Sequence, residues 1–295
     1  MRKFVVFLSM LLIGCAMPAM AMAARMQVAV GVAPVGHFAK MIGGDLVQTT
    51  VLVPAGADAH TYEPKPSQMR AISAAAVYLS AGLEFEDAWE PRLKGANPRM
   101  NFVHTDEGMQ KLPMPEHHEE HHHKAAAGHE EIELDPHIWV APSQVRQMVT
   151  KIAEAFSKAD PAHAKTYAAN LRAYLKQIDA VDAQLKSVFA GVPAGHRTFL
   201  VFHPAWGYLA REYGLTQTAI EFEGKEPSPK RLAAIISQAK ASGVKAVFVQ
   251  PQMSQRTAAT IAKSIGAKLV VADPLAENWE ANLLNVAKTF RQALQ

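Results

Sequence analysis

The sequence predicts an α/β fold with two lobes, each a mostly parallel sheet flanked by helices, joined by one long rigid helix. Two observations support this prediction. After residue 23, short apolar runs alternate with longer helical patterns, which is typical of α/β layers. The stretch at 161–190 interrupts that alternation, and α/β patterns lie on both sides of it. We therefore expect an N-terminal lobe at 24–160, a linking helix at 161–190 and a C-terminal lobe at 191–295.

Short apolar runs between turn residues mark the candidate strands. They cover residues 26–32, 48–54, 76–82, 101–105, 198–203, 245–250 and 268–273. Helical patterns lie between them. The clearest covers 228–243, where Ser228 is a suitable N-cap and Gly243 a suitable stop.

The predicted linking helix rests on one uninterrupted apolar stripe. From Pro161 to Phe189 there is no glycine and no further proline, and apolar residues recur at steps of three and four. These residues are Tyr167, Leu171, Tyr174, Ile178, Val181, Leu185 and Val188. At about 1.5 Å per residue the helix would span roughly 42 Å. An ordinary long packing helix is the alternative; we favour a strut because α/β patterns flank it.

Residues 1–23 have the layout of a secretory signal peptide. A positive start is followed by an apolar run at 4–13 and by small residues up to Ala23, and the run is too short to span a bilayer. A lipoprotein box at 12–15, with Cys15 as the lipidated residue, is the second interpretation. We favour cleavage after Ala23 and expect an exported protein.

The composition excludes several kinds of site. Cys15 is the single cysteine, so cleavage after Ala23 would leave no thiolate metal ligand and no cysteine nucleophile. The net charge is +3, and the basic residues are scattered, which argues against nucleic acid as a partner.

Residues 113–131 form a tract rich in histidine and glutamate, without an apolar period. This composition predicts a disordered loop. Its histidines are weak auxiliary metal ligands in one interpretation and parts of a solvated loop without a role in the other: His117, His118, His121, His122, His123 and His129. Residues 118–122 satisfy the zinc-protease pattern H-E-x-x-H. We regard this match as chance, because that chemistry needs a buried helix.

Four other residues are better candidates for a tight metal site. His203 and Asp273 directly end apolar runs, His60 closes the loop after the run at 48–54, and His137 follows the tract. In α/β sheets the ligand crevice lies beyond the carboxyl ends of the strands. Three imidazoles and one carboxylate, drawn equally from both lobes, suit zinc. Each histidine taken singly could instead be a core residue bonded to backbone.

The mature sequence resembles the metal-binding class of ABC-importer solute-binding proteins, most closely its zinc-uptake members. The stretches that carry the resemblance are 41–68, 135–145, 201–215, 223–232 and 273–290. The resemblance implies two lobes, one long helix and metal in the interlobe cleft. It also implies ligands at His60, His137 and His203, with Asp273 in a fourth position that some zinc members fill with water or another carboxylate. Manganese members typically have Glu in the third position, so His203 favours zinc.

We therefore expect a high-affinity periplasmic zinc carrier without catalytic residues. Its cargo would be Zn²⁺ and its partner the membrane permease of a zinc ABC importer. We expect a monomer, with a periplasmic metallochaperone as a further candidate partner. A manganese or iron carrier of the same fold is the alternative. A zinc hydrolase, with Glu63 as the candidate base, is the alternative from a different class; it requires an open coordination position.

Overall fold

The computed structural model describes residues 24–114, 133–221 and 227–295. The predicted signal peptide, with Cys15, lies outside these ranges. So do the six histidines of the tract: His117, His118, His121, His122, His123 and His129. Within the described ranges, no helix has the length and apolar character needed to cross a membrane.

The first half of the chain alternates strands and helices. Its elements are β1 (Met26–Val30), α1 (Ala33–Gly43), β2 (Val47–Val51), α2 (Pro66–Ala74), β3 (Val77–Ser80), α3 (Glu84–Ala96), β4 (Asn101–His104) and α4 (Pro142–Ala159). The strands form a parallel sheet in the order β2-β1-β3-β4. All four strands predicted in this half are present, each shorter than its apolar run.

The linking helix is continuous, as predicted. A 3₁₀ turn at Pro161–His163 precedes α5 (Ala164–Ala190), which has 27 residues. The buried positions of α5 are Tyr167, Tyr174, Ile178, Val181, Leu185 and Phe189. Leu171 and Val188 are partly buried against the same core. The apolar stripe of α5 therefore faces the core as expected, and Phe189 extends it into the last turn of the helix.

The second half repeats the alternation. Its elements are β5 (Thr198–Val201), α6 (Gly207–Tyr213), β6 (Thr216–Ala219), α7 (Pro229–Ala241), β7 (Ala246–Val249), α8 (Gln255–Ile265), β8 (Lys268–Val271) and α9 (Trp279–Leu294). The strands form a second parallel sheet in the order β6-β5-β7-β8. The sequence analysis did not predict β6, because its sequence TQTA is polar. Polar residues are tolerated there because β6 lies at the edge of the sheet and pairs only with β5. The Ser228 cap of α7 is present, since its hydroxyl accepts the N–H of Arg231.

The two sheets are connected by packing as well as by α5. One hydrophobic cluster runs from β1 through α5 to β5 and α9, and α9 packs along α5. Two tryptophans also cross between the halves: Trp279 Nε1 donates to the carbonyl of Trp139 (2.6 Å), and Trp139 Nε1 donates to that of Pro274 (2.8 Å). The predicted two-lobe α/β class with a long helix is confirmed. The lobe limits at 24–160 and 191–295 remain our proposal.

Candidate metal centre

Three histidines from distant parts of the chain meet at the carboxyl ends of the two sheets. His60 lies in the loop after β2, His137 directly precedes a 3₁₀ turn at Ile138–Val140, and His203 follows β5 by two residues. His203 Nε2 lies 3.0 Å from His60 Nε2 and 3.2 Å from His137 Nε2. One ring nitrogen of each histidine lies within 4.8 Å of the others. The structure therefore brings three of the four predicted ligands together.

Each of these imidazoles is held from behind by a carboxylate at Nδ1. The pairs are His60–Glu84 (2.8 Å), His137–Asp135 (2.8 Å) and the close contact His203–Glu221. A neutral imidazole whose Nδ1–H donates to a carboxylate has its lone pair on Nε2. This is the arrangement in which metal-ligating histidines usually occur, because the carboxylate fixes the tautomer and the ring orientation.

The spacing of the Nε2 atoms matches the coordination geometry of zinc. A tetrahedral ion with Zn–N bonds of about 2.0–2.1 Å places its nitrogen ligands about 3.3 Å apart. The observed separations of 3.0 and 3.2 Å are close to that value. Three lone pairs directed at one point repel one another unless a cation lies between them. The arrangement is therefore suited to holding one divalent metal ion.

The pKa values of His137 and His60 are shifted in opposite directions. Burial and the neighbouring imidazoles of His203 and His60 lower the pKa of His137 well below its ordinary value. Burial also acts to lower the pKa of His60, but the hydrogen bond and charge of Glu84 outweigh it, so this pKa is raised. Burial raises the pKa of Asp135 to about 7. His137 is thus kept neutral, the form that binds metal.

Backbone contacts hold two of the histidines in place. The side chain of Gln250 donates to the carbonyl of His203 (2.7 Å) and accepts the His203 N–H (3.4 Å). Asp135 Oδ1 accepts the backbone N–H of His137 (2.9 Å) as well as its ring proton. The rings of His137 and His203 are therefore held in position before a metal ion binds.

The histidines line a small cavity between the lobes. Its volume is about 20 Å³, enough for one ion or water-sized species. Loop residues 57–59 form one wall and Trp139 another, with Gln250, Gln252 and Leu275 on the side of the second sheet. The cavity is thus built from both halves of the chain.

Asp273 is not brought into this cluster. Its Oδ1 accepts the backbone N–H of Leu275 (2.9 Å) and the side-chain N–H of Gln252 (3.3 Å). It lines a neighbouring interlobe cavity of about 390 Å³. The residue follows β8 as predicted, but the turn through Pro274 directs its carboxylate to the local backbone. The structure therefore groups three of the four predicted residues and places the carboxylate of Asp273 outside that group.

Sequence reasoning did not identify the three carboxylates behind the histidines. Asp135 had a signal, since it lies two residues before His137. Glu221 follows β6, the strand that the predictions missed. Glu84 begins α3, and nothing in its surrounding sequence distinguishes it. Glu63, the base candidate of the hydrolase hypothesis, is exposed and outside the histidine cluster.

A second group of possible ligand atoms lies on the surface of the first lobe. It consists of Asp87, Glu90 and His104. Glu90 is in close contact with Lys94, and Lys111 lies nearby, paired with Asp106 at 2.7 Å. The lysines supply countercharge to these carboxylates, so the group is an ion-pair network.

Residues 28–293 match the family described as ZnuA, zinc-uptake complex component A, periplasmic. The high-affinity zinc uptake system protein ZnuA of Bacillus subtilis is 31% identical over 248 residues, which are 82% of this chain and 76% of that protein. A putative metal-binding protein of Treponema pallidum is 30% identical over 82% of this chain and 77% of its own length. The match to the zinc-binding lipoprotein AdcA of Streptococcus pneumoniae (30% identity) also covers 82% of this chain but only 48% of AdcA.

Solved structures agree with these sequence matches. A crystal structure of ZnuA superposes with a TM-score of 0.84 at 38% identity, covering 92% of this chain and all of that one. A ZnuA deletion mutant with zinc bound gives 0.82 at 39% identity, covering 92% and 98%. A manganese-bound periplasmic protein of Candidatus Liberibacter asiaticus gives 0.79 at 21% identity, which shows a shared fold alone.

Proposed function

The chain belongs to the ZnuA family of periplasmic zinc-uptake components, and on that premise we propose that it is a high-affinity carrier that delivers Zn²⁺ to the permease of an ABC importer. The observation that carries the proposal is the convergence of three Nε2 atoms, each backed by a carboxylate at Nδ1. We propose His60, His137 and His203 as the zinc ligands. A fourth ligand would come from outside this set of histidines.

The ligand chemistry favours zinc over manganese or iron. Three neutral imidazoles are borderline-soft donors that suit zinc, whereas manganese prefers sites rich in carboxylate and water oxygens. In this site Glu84, Asp135 and Glu221 contact Nδ1 atoms, and among the described residues the converging ligand atoms at the centre are those of the three imidazoles. Asp58 lines the same cavity, but its carboxylate accepts the His60 N–H and the Thr61 hydroxyl within its own loop. A manganese or iron carrier of the same fold is the alternative cargo assignment, and the metal competition described below distinguishes the two.

We further propose that the protein has no catalytic activity. A zinc hydrolase needs a base beside metal-bound water. Glu84, Asp135 and Glu221 are engaged behind the imidazoles, on the side away from the centre. Glu63 is exposed and supplies no base there. These positions support a carrier, as does membership of a family of transport components.

The remaining assignments follow from the family and the sequence. We propose that the protein acts as a monomer in the periplasm after cleavage behind Ala23, and that lipidation at Cys15 is the minor alternative. The permease is its proposed receiver, and a periplasmic metallochaperone is a further candidate partner. The histidine tract is proposed as an auxiliary region of weak metal binding.

A competitive zinc titration against a chromogenic chelator tests the proposal. The mature protein would be compared with a deletion of residues 116–131 and with His203→Ala. We expect the deletion to keep one tight site and to lose weak extra equivalents, and His203→Ala to lose the tight site. A tight site that survives His203→Ala but not the deletion would contradict the proposal. Repeating the titration with Mn²⁺ as competitor tests the cargo, and we expect zinc to win.

A further inference from the structure

The three histidine–carboxylate pairs differ in how much solvent reaches them. For His137–Asp135 the side chains are 4% and 3% exposed, and for His203–Glu221 they are 7% and 5% exposed. For His60–Glu84 they are 21% and 43% exposed. A histidine–carboxylate contact that water reaches contributes little net free energy and is screened by salt, whereas a buried contact is screened much less. The cluster therefore has two fixed members and one weakly held member.

The segment around His60 is also less buried than those around the other two histidines, with Ala59 as its one residue in the hydrophobic core among 57–60. His60 lies in an irregular loop between β2 and α2, and residues 54–56 of that loop are exposed. Gly56 has φ +80° and open space around it, so a turn there is free of packing. The His60 N–H and the Thr61 hydroxyl both donate to Asp58, within the same loop. By contrast, His203 is bonded to Gln250 after β7 and His137 precedes a buried turn.

The loop also covers the cavity that the histidines line. Ala57, Asp58 and Ala59 contribute to its wall together with His60. An outward movement of this segment would open the cavity and withdraw one ligand in the same step. Glu84, at the start of α3, bonds to Nδ1 of His60. This bond keeps the imidazole ring of His60 directed at the other two histidines.

We propose that zinc enters and leaves the site through the His60 loop, with His137 and His203 as a fixed pair and Glu84 as the positioning residue that sets the exchange rate. Glu84 acts through His60 and does not touch the metal. The inference rests on the proposed function, because it assumes zinc on the three histidines. It adds an order of events: zinc binds His60 last and dissociates from His60 first.

Zinc dissociation into excess chelator, followed by stopped flow, tests the role of Glu84. Glu84→Ala is compared with Glu63→Ala, which removes an exposed carboxylate from the same loop without touching a ligand. Loss of a partner behind a ligating histidine typically weakens metal affinity 10–100-fold. We expect Glu84→Ala to dissociate at least about tenfold faster at little-changed association rate, and Glu63→Ala to match the wild type. Glu84→Gln, which can still accept the Nδ1–H, should recover part of the difference.

Salt provides a readout that a merely structural role would not change. The wild-type dissociation rate should rise with ionic strength because salt screens the attraction between the exposed Glu84 carboxylate and the positive charge of zinc-bound His60, and Glu84→Ala should lose most of that dependence. Equal dissociation rates for Glu84→Ala and the wild type would overturn the inference.

The order of events is tested by single histidine removals. We expect His60→Ala to retain a weaker, rapidly exchanging zinc site, and His137→Ala and His203→Ala to retain none in the same concentration range. Cobalt bound to His60→Ala should show an absorption spectrum altered by loss of one nitrogen ligand. Three variants with equal affinities and rates would overturn the order. If the wild type itself bound no zinc tightly, the proposed function would fail, which is a separate result.

Discussion

The two sheets have the same strand order but supply the site in different ways. In the second sheet the contributing residues follow the strands directly: His203 lies two residues after β5, Glu221 two after β6 and Gln250 one after β7. In the first half His60 lies nine residues after β2, and His137 lies far along the chain from β4. One half therefore provides a rigid platform at strand ends, whereas the other provides ligands on longer connections.

This difference assigns separate tasks to the two halves. Residues at strand ends are fixed by the ladder behind them, so the second half offers a preformed ligand. A loop ligand can move without disturbing a sheet, so the first half can open. His137 differs from His60, the other histidine of the first half, because its position is fixed. It lies two residues before Trp139, whose indole N–H bonds to the carbonyl of Pro274 in the second half.

The largest expected effect is the loss of a ligand from either half. Replacing His203 or His137 by Ala removes one of three converging imidazoles and leaves a buried carboxylate without its partner. We expect zinc affinity to fall at least about a thousandfold in each case, since the two imidazoles that remain include the more exposed His60 and fill only half of a tetrahedral set. Competitive titration measures this. Unchanged affinity in either variant would contradict the three-histidine site.

The contact between the halves should matter for both stability and binding. Trp279→Phe removes the N–H that bonds to the carbonyl of Trp139, which lies two residues from His137. A buried acceptor left unsatisfied costs about 1–3 kcal/mol of unfolding free energy, and zinc affinity should fall as well. Denaturant unfolding and titration measure the two effects.

Phe290→Leu is the control for this variant. Phe290 packs on Phe199 and Phe248 of the second sheet, away from the interlobe bond. It should lower stability and leave zinc affinity unchanged. A zinc affinity of Trp279→Phe equal to that of Phe290→Leu would show that the tryptophan bond does not position the ligand.

The first half contains a buried carboxyl whose titration opposes stability at higher pH. Burial raises the pKa of Glu86 from 4.5 to about 7, although two backbone N–H groups, Tyr78 and Ser80 donate to it. A raised folded-state pKa contributes stability that is fully present below pH 4.5 and is lost as pH rises through 7. The difference between the two pKa values, 4.5 and about 7, corresponds to about 3 kcal/mol of unfolding free energy.

Glu86→Gln should remove this dependence. Unfolding free energy of wild type and variant, compared from pH 4.5 to pH 8, isolates the contribution of this one group from other titrations. We expect the unfolding free energy of Glu86→Gln to increase relative to that of the wild type as pH rises. A difference that stayed constant over that range would contradict the assignment.

The smallest expected effect is that of Asp273→Asn. Its carboxylate accepts bonds from Leu275 and Gln252, and asparagine can accept both through its carbonyl oxygen. We expect zinc affinity to change by less than about threefold. A loss comparable to that of His203→Ala would show that Asp273 moves into the coordination shell when zinc binds.

Much of this arrangement could be predicted from the sequence, because its signals are local. Apolar runs located seven of the eight strands within the described ranges, and the unbroken stripe located α5. The resemblance to zinc-uptake solute-binding proteins is confirmed by the family match. The position of His203 at the cleft could be predicted because this residue ends an apolar run in a parallel sheet, and ligand crevices lie beyond the carboxyl ends of such strands.

The rest depends on tertiary contacts that no local pattern encodes. Glu84 and His60 are 24 residues apart and meet only after α2 and β3 have folded between them. Asp273 carries the same strand-end signal as His203, yet the turn at Pro274 determines where its carboxylate lies. Strand-end position therefore predicts proximity to the cleft, whereas the direction of the side chain depends on the turn that follows.

X-ray absorption of the zinc-loaded protein lacking residues 116–131 tests the central claim most directly, since zinc can then lie only at sites outside the tract. The account predicts three imidazole nitrogens at about 2.0–2.1 Å. His203→Ala, loaded at high zinc concentration, should lose at least one of them. A shell dominated by oxygen, or one that is the same in His203→Ala, would contradict the assignment of His60, His137 and His203 as the zinc ligands.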